Sequence, residues 1–148
     1  MDCPLLAHPA IGWDFDGTLI DHPNSAWMHR FIHMHPEKEH VILTFRTHGY
    51  ERSMFDEMQH LYPGAPSRTC FARVLNIENL AWEQVKKTEL LRQHGFRGPF
   101  TEWERYYMEW KGMTCHRLNI PVLVDDRHAL VLPGCRKYSI EYIHPDEL

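Results

Sequence analysis

The sequence lacks the features of a disulfide-rich, zinc-binding or membrane-spanning protein. It has only four cysteines, which are scattered and form no C-x-x-C pair, so we expect reduced thiols and no structural zinc site. The longest apolar runs are a few residues long, whereas a membrane helix needs roughly 20. No basic segment followed by an apolar stretch is present near the N-terminus, which argues against a secretory signal and predicts a cytoplasmic location. The cysteines are Cys3, Cys70, Cys115 and Cys135.

The sequence also lacks a block of positive charge. The net charge is −4. Because non-specific nucleic-acid binding depends on Lys and Arg against phosphates, we expect no strong binding of that kind. A nucleic-acid end could still be a substrate.

Histidine, in contrast, is abundant, with 12 residues. His29 and His33 are spaced one helical turn apart, and His35 and His40 follow. Such spacing could bind a transition metal. We favour a solvated helix face instead, because no carboxylate or cysteine nearby completes a ligand set.

The length of 148 residues fits a single domain covering residues 1–148. Apolar runs at 10–14, 41–45, 71–77, 121–124 and 137–143 predict strands. Helical patterns follow Pro23 and cover 54–61, 79–94 and 101–113, with a short helix or turn at 127–132. This alternation predicts a doubly wound, Rossmann-like α/β fold, in which helices cover both faces of a mostly parallel sheet.

Polar side chains follow three of the predicted strands. Ligands of such folds lie at the carboxyl ends of the strands, so we expect these side chains to converge. Four of them are carboxylates, which repel one another unless a cation lies among them. Oxygen-only ligands favour Mg²⁺. The carboxylates are Asp14, Asp16, Asp125 and Asp126, and the other polar residues are Thr44 and Arg46.

Asp14 and Asp16, at and just after the end of the first predicted strand, could carry out phosphoryl transfer to a carboxylate. Asp14, at the strand end, can attack phosphorus and form an aspartyl phosphate. Asp16, two residues on, can protonate the leaving group and later deprotonate water. A calcium loop would need more oxygen ligands in the next positions, where Leu19 and Ile20 stand instead.

The residues around this pair complete a predicted phosphate site. Gly17 permits a sharp turn after the strand, and Thr18 can bond the loop backbone and hold Asp16. We expect Gly17 and Thr18 to belong to the loop that contacts substrate. Thr44 can donate a hydrogen bond to a phosphoryl oxygen. A lysine is also needed to neutralise the developing charge.

These segments resemble the motifs of the haloacid dehalogenase superfamily of phosphatases. The first motif is at residues 13–18, the second at 41–44 and the fourth at 122–126, with a lysine upstream of the fourth as the third. The resemblance implies that Asp14 is the nucleophile and Asp16 the acid and base. It implies that Mg²⁺ is held by Asp14, the backbone carbonyl of Asp16, and Asp125, with Asp126 close by. An aspartate at position 16 favours phosphate-ester hydrolysis over carbon–halogen cleavage.

The choice of lysine lies among Lys86, Lys87 and Lys111, and we favour Lys111. Its surroundings, Trp110-Lys111 followed by an apolar strand and then Asp-Asp-Arg, resemble the phosphatase domain of phage polynucleotide kinase. Arg46 also matches that domain, although Phe45 replaces a glycine. Arg46 could bind substrate phosphate or pair with an acidic neighbour.

Little of the chain is left for a lid, so we expect a nearly capless, open site. The substrate could be a nucleotide, a nucleic-acid 3′-phosphate end, a sugar phosphate or a phosphoprotein. Aromatic residues could stack on a base, although such stripes more often form core. A receiver domain is disfavoured because its acidic pair comes first in the chain. A catalytically inactive binding module is the alternative. The aromatic residues are Trp82, Trp103, Tyr106 and Tyr107.

Overall fold

A computed structural model describes residues 3–47 and 49–148. Within those ranges the chain alternates between strands and helices. The order is β1 (Ala10–Trp13), α1 (Ser25–Met34), β2 (Glu39–Thr44), α2 (Glu51–Leu61), β3 (Arg73–Asn76), α3 (Asn79–Gln93), α4 (Glu102–Arg117), β4 (Val122–Val124), α5 (His128–Lys137) and β5 (Glu141–Ile143). Short 3-10 turns occur at Arg68–Cys70 and Pro145–Glu147.

The strands form one parallel sheet in the order β3-β2-β1-β4-β5. The chain begins at the centre with β1, moves outward to β2 and β3, and then returns to the other side of β1 for β4 and β5. This reversal creates a crevice beyond the carboxyl ends of β1 and β4, where ligands of such sheets bind. The predicted α/β fold is confirmed.

The sheet is covered on both faces, because alternate side chains of a strand point to opposite sides. On β2, Ile42 packs into one core with residues of α1 and α2. Its neighbours Val41 and Leu43 pack into a second core with residues of α3, α4 and α5. Each central strand is therefore buried on both sides, and its end is held rigidly.

The predicted signals at two helix ends are confirmed. Thr101 and Glu104 form a capping box at the start of α4, where each side chain accepts a hydrogen bond from the other residue's backbone N–H. Gly95, with φ of +103°, follows the end of α3. No helix among the described residues is both long and apolar enough to cross a membrane.

The largest departure from the predicted elements is at α5. The segment predicted at 127–132 is a longer helix that continues through Pro133 to Lys137, and the strand predicted at 137–143 shortens to Glu141–Ile143. Val131 and Cys135 are buried in the second core. Their burial outweighs the cost of an interior proline, because packing of an apolar face provides most helix stability.

Candidate active site

Three strand ends bring the predicted catalytic residues to one edge of the sheet. Asp14 follows β1, and its backbone N–H donates to the Val124 carbonyl of β4 at 2.9 Å. Asp125 follows β4, and its N–H donates to the Ile143 carbonyl at 3.2 Å. Both carboxylates are thus attached to backbone that the sheet still holds, which fixes their separation.

Lys111 of α4 joins these two carboxylates. Its Nζ donates to Asp14 Oδ1 at 2.7 Å and to Asp125 Oδ2 at 2.6 Å. The side chain is only 1% exposed. Of the other two candidate lysines, Lys86 pairs with Glu89 on α3, where its Nζ lies 3.2 Å from the carboxylate, and Lys87 is exposed on the same helix. The structure therefore brings Lys111, rather than Lys87, to the aspartates.

Two aromatic residues that sequence patterns did not single out support this arrangement. The Phe45 ring centroid lies 4.4 Å from Lys111 Nζ, and Phe45 stacks on Tyr107 at a centroid distance of 4.0 Å. On the other side, the Tyr142 hydroxyl donates to the Asp125 backbone carbonyl at 2.7 Å. In the sequence, the only sign of the contact between Phe45 and Lys111 was that Phe45 replaces the glycine of the domain that this segment resembles.

Burial and charge shift the proton affinities of the central pair in the same direction. Burial is the largest influence on Asp14 and raises its pKa well above the usual value, assisted by Asp125 and opposed by Lys111. Burial alone would lower the pKa of Lys111, but attraction by Asp125 and Asp14 outweighs it and raises the pKa. Lys111 is therefore positively charged, and its attraction only partly offsets the effect of burial on Asp14.

The acidic cluster consists of Asp14, Asp125 and Asp126, each of which offers a carboxylate oxygen within 4.8 Å of the others. Asp126 is half-buried, and the other two are buried. The expectation that the Asp16 carboxylate would join them is wrong, because the Asp16 side chain turns away to pair with Arg46. The role predicted for its backbone carbonyl is unaffected.

The turn after β1 is shaped by Gly17 and Thr18. Gly17 has φ of +75°, and an added Cβ would lie 2.3 Å from an Asp126 oxygen, so this position requires glycine. The Thr18 hydroxyl is 3.2 Å from Asp14 Oδ2 and 3.5 Å from Asp126 Oδ1. The Thr18 N–H donates to the Phe15 carbonyl at 3.3 Å, so Thr18 bonds the loop backbone around Asp16 as predicted, while its hydroxyl faces Asp14.

Arg46 is paired with acidic neighbours. Its Nε and Nη2 donate to the two Asp16 oxygens at 2.9 and 2.7 Å, and Nη1 donates to Glu57 of α2 at 2.9 Å. The hydrogen bond to Asp16 is the main cause that raises the pKa of Arg46. The Thr44 hydroxyl accepts the Arg46 N–H at 3.1 Å, and a hydroxyl that accepts can still donate its own hydrogen to a phosphoryl oxygen.

A cavity of about 350 Å³ opens over these residues. Its buried lining includes Asp14, Lys111 and Tyr107, and its exposed lining includes Tyr50 and Trp82. Asp16 and Phe45 are also in the lining, together with Arg46, Thr47, Lys86 and Arg127. A volume in the range of roughly 300–1,000 Å³ is typical of small-molecule sites.

Three of the histidines, His29, His33 and His40, bond backbone carbonyls. His29 Nε2 donates to the Leu19 carbonyl at 2.7 Å, and His33 Nε2 to the Gly64 carbonyl at 3.0 Å. His29 and His40 are buried, so a solvated face was the wrong interpretation for them, and burial lowers the pKa of each. No group of potential metal ligands among the described residues includes His29 or His33.

A second group of potential ligands, His22, His144 and Asp146, lies near the end of the chain. The Nδ1 atoms of both histidines accept backbone N–H groups, from Asn24 at 2.9 Å and Asp146 at 3.0 Å. Each neutral ring therefore carries its proton on Nε2. His22 Nε2 can then donate to the Asp146 carboxylate at 2.7 Å, a hydrogen bond that accounts for this contact without a metal ion.

No protein-family model, curated protein or solved structure matches this chain. Its function therefore has to be inferred from the geometry of the site.

Proposed function

We propose that this protein is a Mg²⁺-dependent phosphomonoester hydrolase of the haloacid dehalogenase type, in which Asp14 is the nucleophile. The supporting observation is the buried Lys111 between Asp14 and Asp125, at a cavity that also reaches Asp16. Removing three charged groups from water costs free energy that their attraction does not reliably return. A buried group of charges that lies in a cleft and has perturbed pKa values is more typical of a catalytic site than of a stabilising ion pair.

The donor set fits Mg²⁺. The acidic cluster offers only oxygen atoms, which hard cations prefer, and its three carboxylates exceed the single positive charge of Lys111. Asp14 and Asp125 would hold the ion with the Asp16 backbone carbonyl, and Asp126 would lie close by. Bound there, Mg²⁺ would neutralise phosphoryl oxygens and reduce their repulsion from the Asp14 carboxylate.

The first chemical step uses groups that already contact Asp14. An Asp14 oxygen attacks phosphorus, so that an O–P bond to the carboxylate forms and the bond to the leaving-group oxygen breaks. Lys111 and the Thr18 hydroxyl hold the carboxylate in a fixed orientation. Lys111 and the Thr44 hydroxyl stabilise the charge on the transferring phosphoryl oxygens. Water then hydrolyses the aspartyl phosphate and releases phosphate.

Asp16 transfers the protons in both steps. Its carboxylate lines the cavity and is half exposed, within reach of a leaving group bound there. The bidentate pair with Arg46 engages both oxygens of that carboxylate. The Arg46 pair therefore has to loosen when substrate binds, and the phosphate is the natural alternative partner for the guanidinium.

The direct test is hydrolysis of p-nitrophenyl phosphate with Mg²⁺, with EDTA as the control. We expect turnover that EDTA abolishes, and a loss of about 10³-fold or more in the Asp14→Asn variant. Asp56→Asn, an exposed substitution on α2, is the matched control and should retain activity. Activity of Asp14→Asn within tenfold of the parent would contradict the nucleophile assignment.

A binding module without turnover is the second candidate, since the Asp16 carboxylate is occupied by Arg46. Under that function, Mg²⁺ would raise the melting temperature, but no phosphorylated compound would be hydrolysed. Release of phosphate from any compound of a metabolite and oligonucleotide panel would exclude it.

A further inference from the structure

Trp82 is an exposed aromatic residue in the lining of the reactive cavity. It follows Ala81 on α3, and Ala81 and Val85 pack into the second core. The Trp82 side chain leaves that core, remains 38% exposed and lines the same cavity as Asp14. Burying such a ring contributes much of the free energy of binding at interfaces, so its exposure beside a reactive site indicates a ligand.

The other aromatic residues considered for stacking are used differently. Tyr107 is buried against Phe45 beneath Lys111, so it forms part of the support of the site. The Tyr106 hydroxyl donates to Glu78 at 2.6 Å, and Tyr106 lies with Trp103 at a separate cavity. Of the aromatic residues in the lining of the reactive cavity, Trp82 and Tyr50 are exposed, and Trp82 presents the larger ring for stacking.

The charges around Trp82 favour an anionic, planar ligand. Lys86, one turn further along α3, has its Nζ 5.7 Å from the Trp82 ring centroid. Arg127, exposed after the acidic cluster, also lines the cavity. Lys86 also pairs with Glu89 through an exposed ion pair, whereas Lys111 and Arg46 are held by the carboxylates of the site itself.

A nucleotide offers this cavity a group that a simple sugar phosphate lacks. Both carry a phosphate and sugar hydroxyls, but only the nucleotide has a planar base. The exposed ring of Trp82 in the cavity lining can stack on such a base, because base stacking on aromatic side chains tolerates any base.

We propose that the leaving group is a nucleoside whose base stacks on Trp82, so that the substrate is a nucleotide. This inference rests on the proposed phosphatase function and names its substrate class. The nucleotide can be free or can be the phosphorylated end of a nucleic acid, since both present the same base and phosphate. Lys86 and Arg127 are placed to attract the further phosphate of a chain end.

The kinetic test compares nucleoside 3′- and 5′-monophosphates with ribose 5-phosphate, which lacks a base, in the presence of Mg²⁺. We expect kcat/KM to be at least about tenfold higher for the better nucleotide. In the Trp82→Ala variant, KM for that nucleotide should rise roughly 5- to 150-fold, as expected for the loss of a stacked base, while kcat changes little. Hydrolysis of ribose 5-phosphate should stay within about twofold.

Two further variants distinguish the loss of base stacking from a general loss of structure. Trp82→Phe keeps a ring face and should restore most of the nucleotide preference. Trp103→Ala removes a tryptophan at the separate cavity and should leave the preference intact. Equal efficiency on nucleotides and ribose 5-phosphate, or an unchanged nucleotide KM in Trp82→Ala, would overturn the inference while leaving the phosphatase function standing.

A binding measurement keeps the test independent of turnover. In the Asp14→Asn background with Mg²⁺, the better nucleotide should quench tryptophan fluorescence, and adding Trp82→Phe should remove that quench. This result would support nucleotide binding even if no compound were hydrolysed, a case in which the proposed function alone would fail. If the nucleotide quenched fluorescence neither in Asp14→Asn nor in Asp14→Asn combined with Trp82→Phe, the result would count against the inference.

An oligonucleotide bearing a 3′-phosphate distinguishes the two sources of nucleotide. A chain end as substrate predicts a higher kcat/KM than for the mononucleotide, which falls with added salt and in Arg127→Ala. Equal kcat/KM values for the oligonucleotide and the mononucleotide would indicate that the substrate is a free nucleotide. Either result supports a nucleotide substrate, provided that Trp82→Ala raises KM.

Discussion

The central residue of the site is Lys111, whose ammonium group replaces water for two buried carboxylates. With 1% of its side chain exposed, its positive charge is stable only because Asp14 and Asp125 lie within 2.7 Å. Removing one partner of such a group leaves an uncompensated buried charge, which costs about 3–5 kcal/mol. In the proposed function Lys111 would affect both folding and chemistry, so stability and activity have to be measured separately.

We predict that Lys111→Ala lowers the free energy of unfolding by about 3–5 kcal/mol in EDTA, since Asp14 and Asp125 then repel each other at close range. Mg²⁺ should return part of that loss, because the ion supplies positive charge at the same place. Even at saturating Mg²⁺, kcat should remain about 10²- to 10³-fold below the parent. Chemical denaturation and steady-state kinetics on the same samples measure both effects.

Lys87→Ala is the matched control, because Lys87 is exposed on α3. Its stability should stay within about 0.5 kcal/mol of the parent, and its kcat should be unchanged. If Lys87→Ala lost as much activity as Lys111→Ala, the assignment of the catalytic lysine would be wrong.

At the scale of single residues, the sequence predicted the positions of the aspartates better than it predicted their side-chain partners. Asp14 and Asp125 follow short apolar strands, so their convergence depends only on parallel pairing, which local patterns reveal. The directions of long side chains depend on residues far away in sequence. Glu57 of α2 anchors Arg46, and Arg46 in turn holds Asp16, and no local pattern indicates this chain of contacts.

At the scale of the elements, the packing of α4 against α5 positions Lys111. This packing depends on two glycines. A Cβ added at Gly112 would lie 2.3 Å from the Gly134 carbonyl carbon. One added at Gly134 would lie 2.8 Å from the Glu109 Cα. Both clashes involve backbone, which cannot move without separating the helices. Because Gly112 adjoins Lys111, the distance between the helices also sets the position of the lysine.

We predict that Gly134→Ala destabilises the fold by about 1–3 kcal/mol, although alanine is the better helix former by roughly 1 kcal/mol. The clash with Glu109 forces α4 and α5 apart, so kcat should also fall through the displacement of Lys111. Thermal unfolding and kinetics measure the two effects. Arg136→Ala, on the exposed face of α5, is the control and should change neither the stability nor kcat. A Gly134→Ala variant that is stabilised and fully active would show that the contact between the helices is unimportant.

The same contact explains why the sequence did not predict the full length of α5. Pro133 within the helix looks like a stop signal, because proline lacks the N–H of the helical ladder. The reasons for continuation are tertiary: Val131 and Cys135 are buried, and Gly134 allows α4 to approach. Helices α3 and α4 were predicted more closely, since Gly95 and the Thr101–Glu104 capping box are local signals.

At the scale of the whole molecule, the strand order gathers charge at one edge. β1 lies between β2 and β4, so the ends of these three strands place Asp14 between Thr44 and Asp125. The fold was predictable because the alternation of strands and helices admits few arrangements. The resulting acidic cluster carries more negative charge than Lys111 balances, which makes the stability of the metal-free protein depend on pH.

The direction of that dependence follows from Asp14. Its pKa is raised in the folded protein, chiefly by burial, so the folded state holds its proton more strongly than the unfolded chain does. This contribution to stability is fully present below the ordinary aspartate pKa of about 4 and is lost as pH rises through the raised value. In the proposed function Mg²⁺ would bind the ionised carboxylate, so it would compete with the proton.

We therefore predict that the gain in melting temperature from Mg²⁺, measured against EDTA, increases with pH across this window and levels off above the raised pKa of Asp14. At a concentration 100 times Kd the gain should correspond to about 2.7 kcal/mol. Asp125→Ala should remove most of it, because two carboxylates then remain in the acidic cluster. Asp146→Asn, which alters the separate group near His22, should retain it. A gain that is constant with pH, or larger in acid, would mean that Mg²⁺ does not bind through the Asp14 carboxylate.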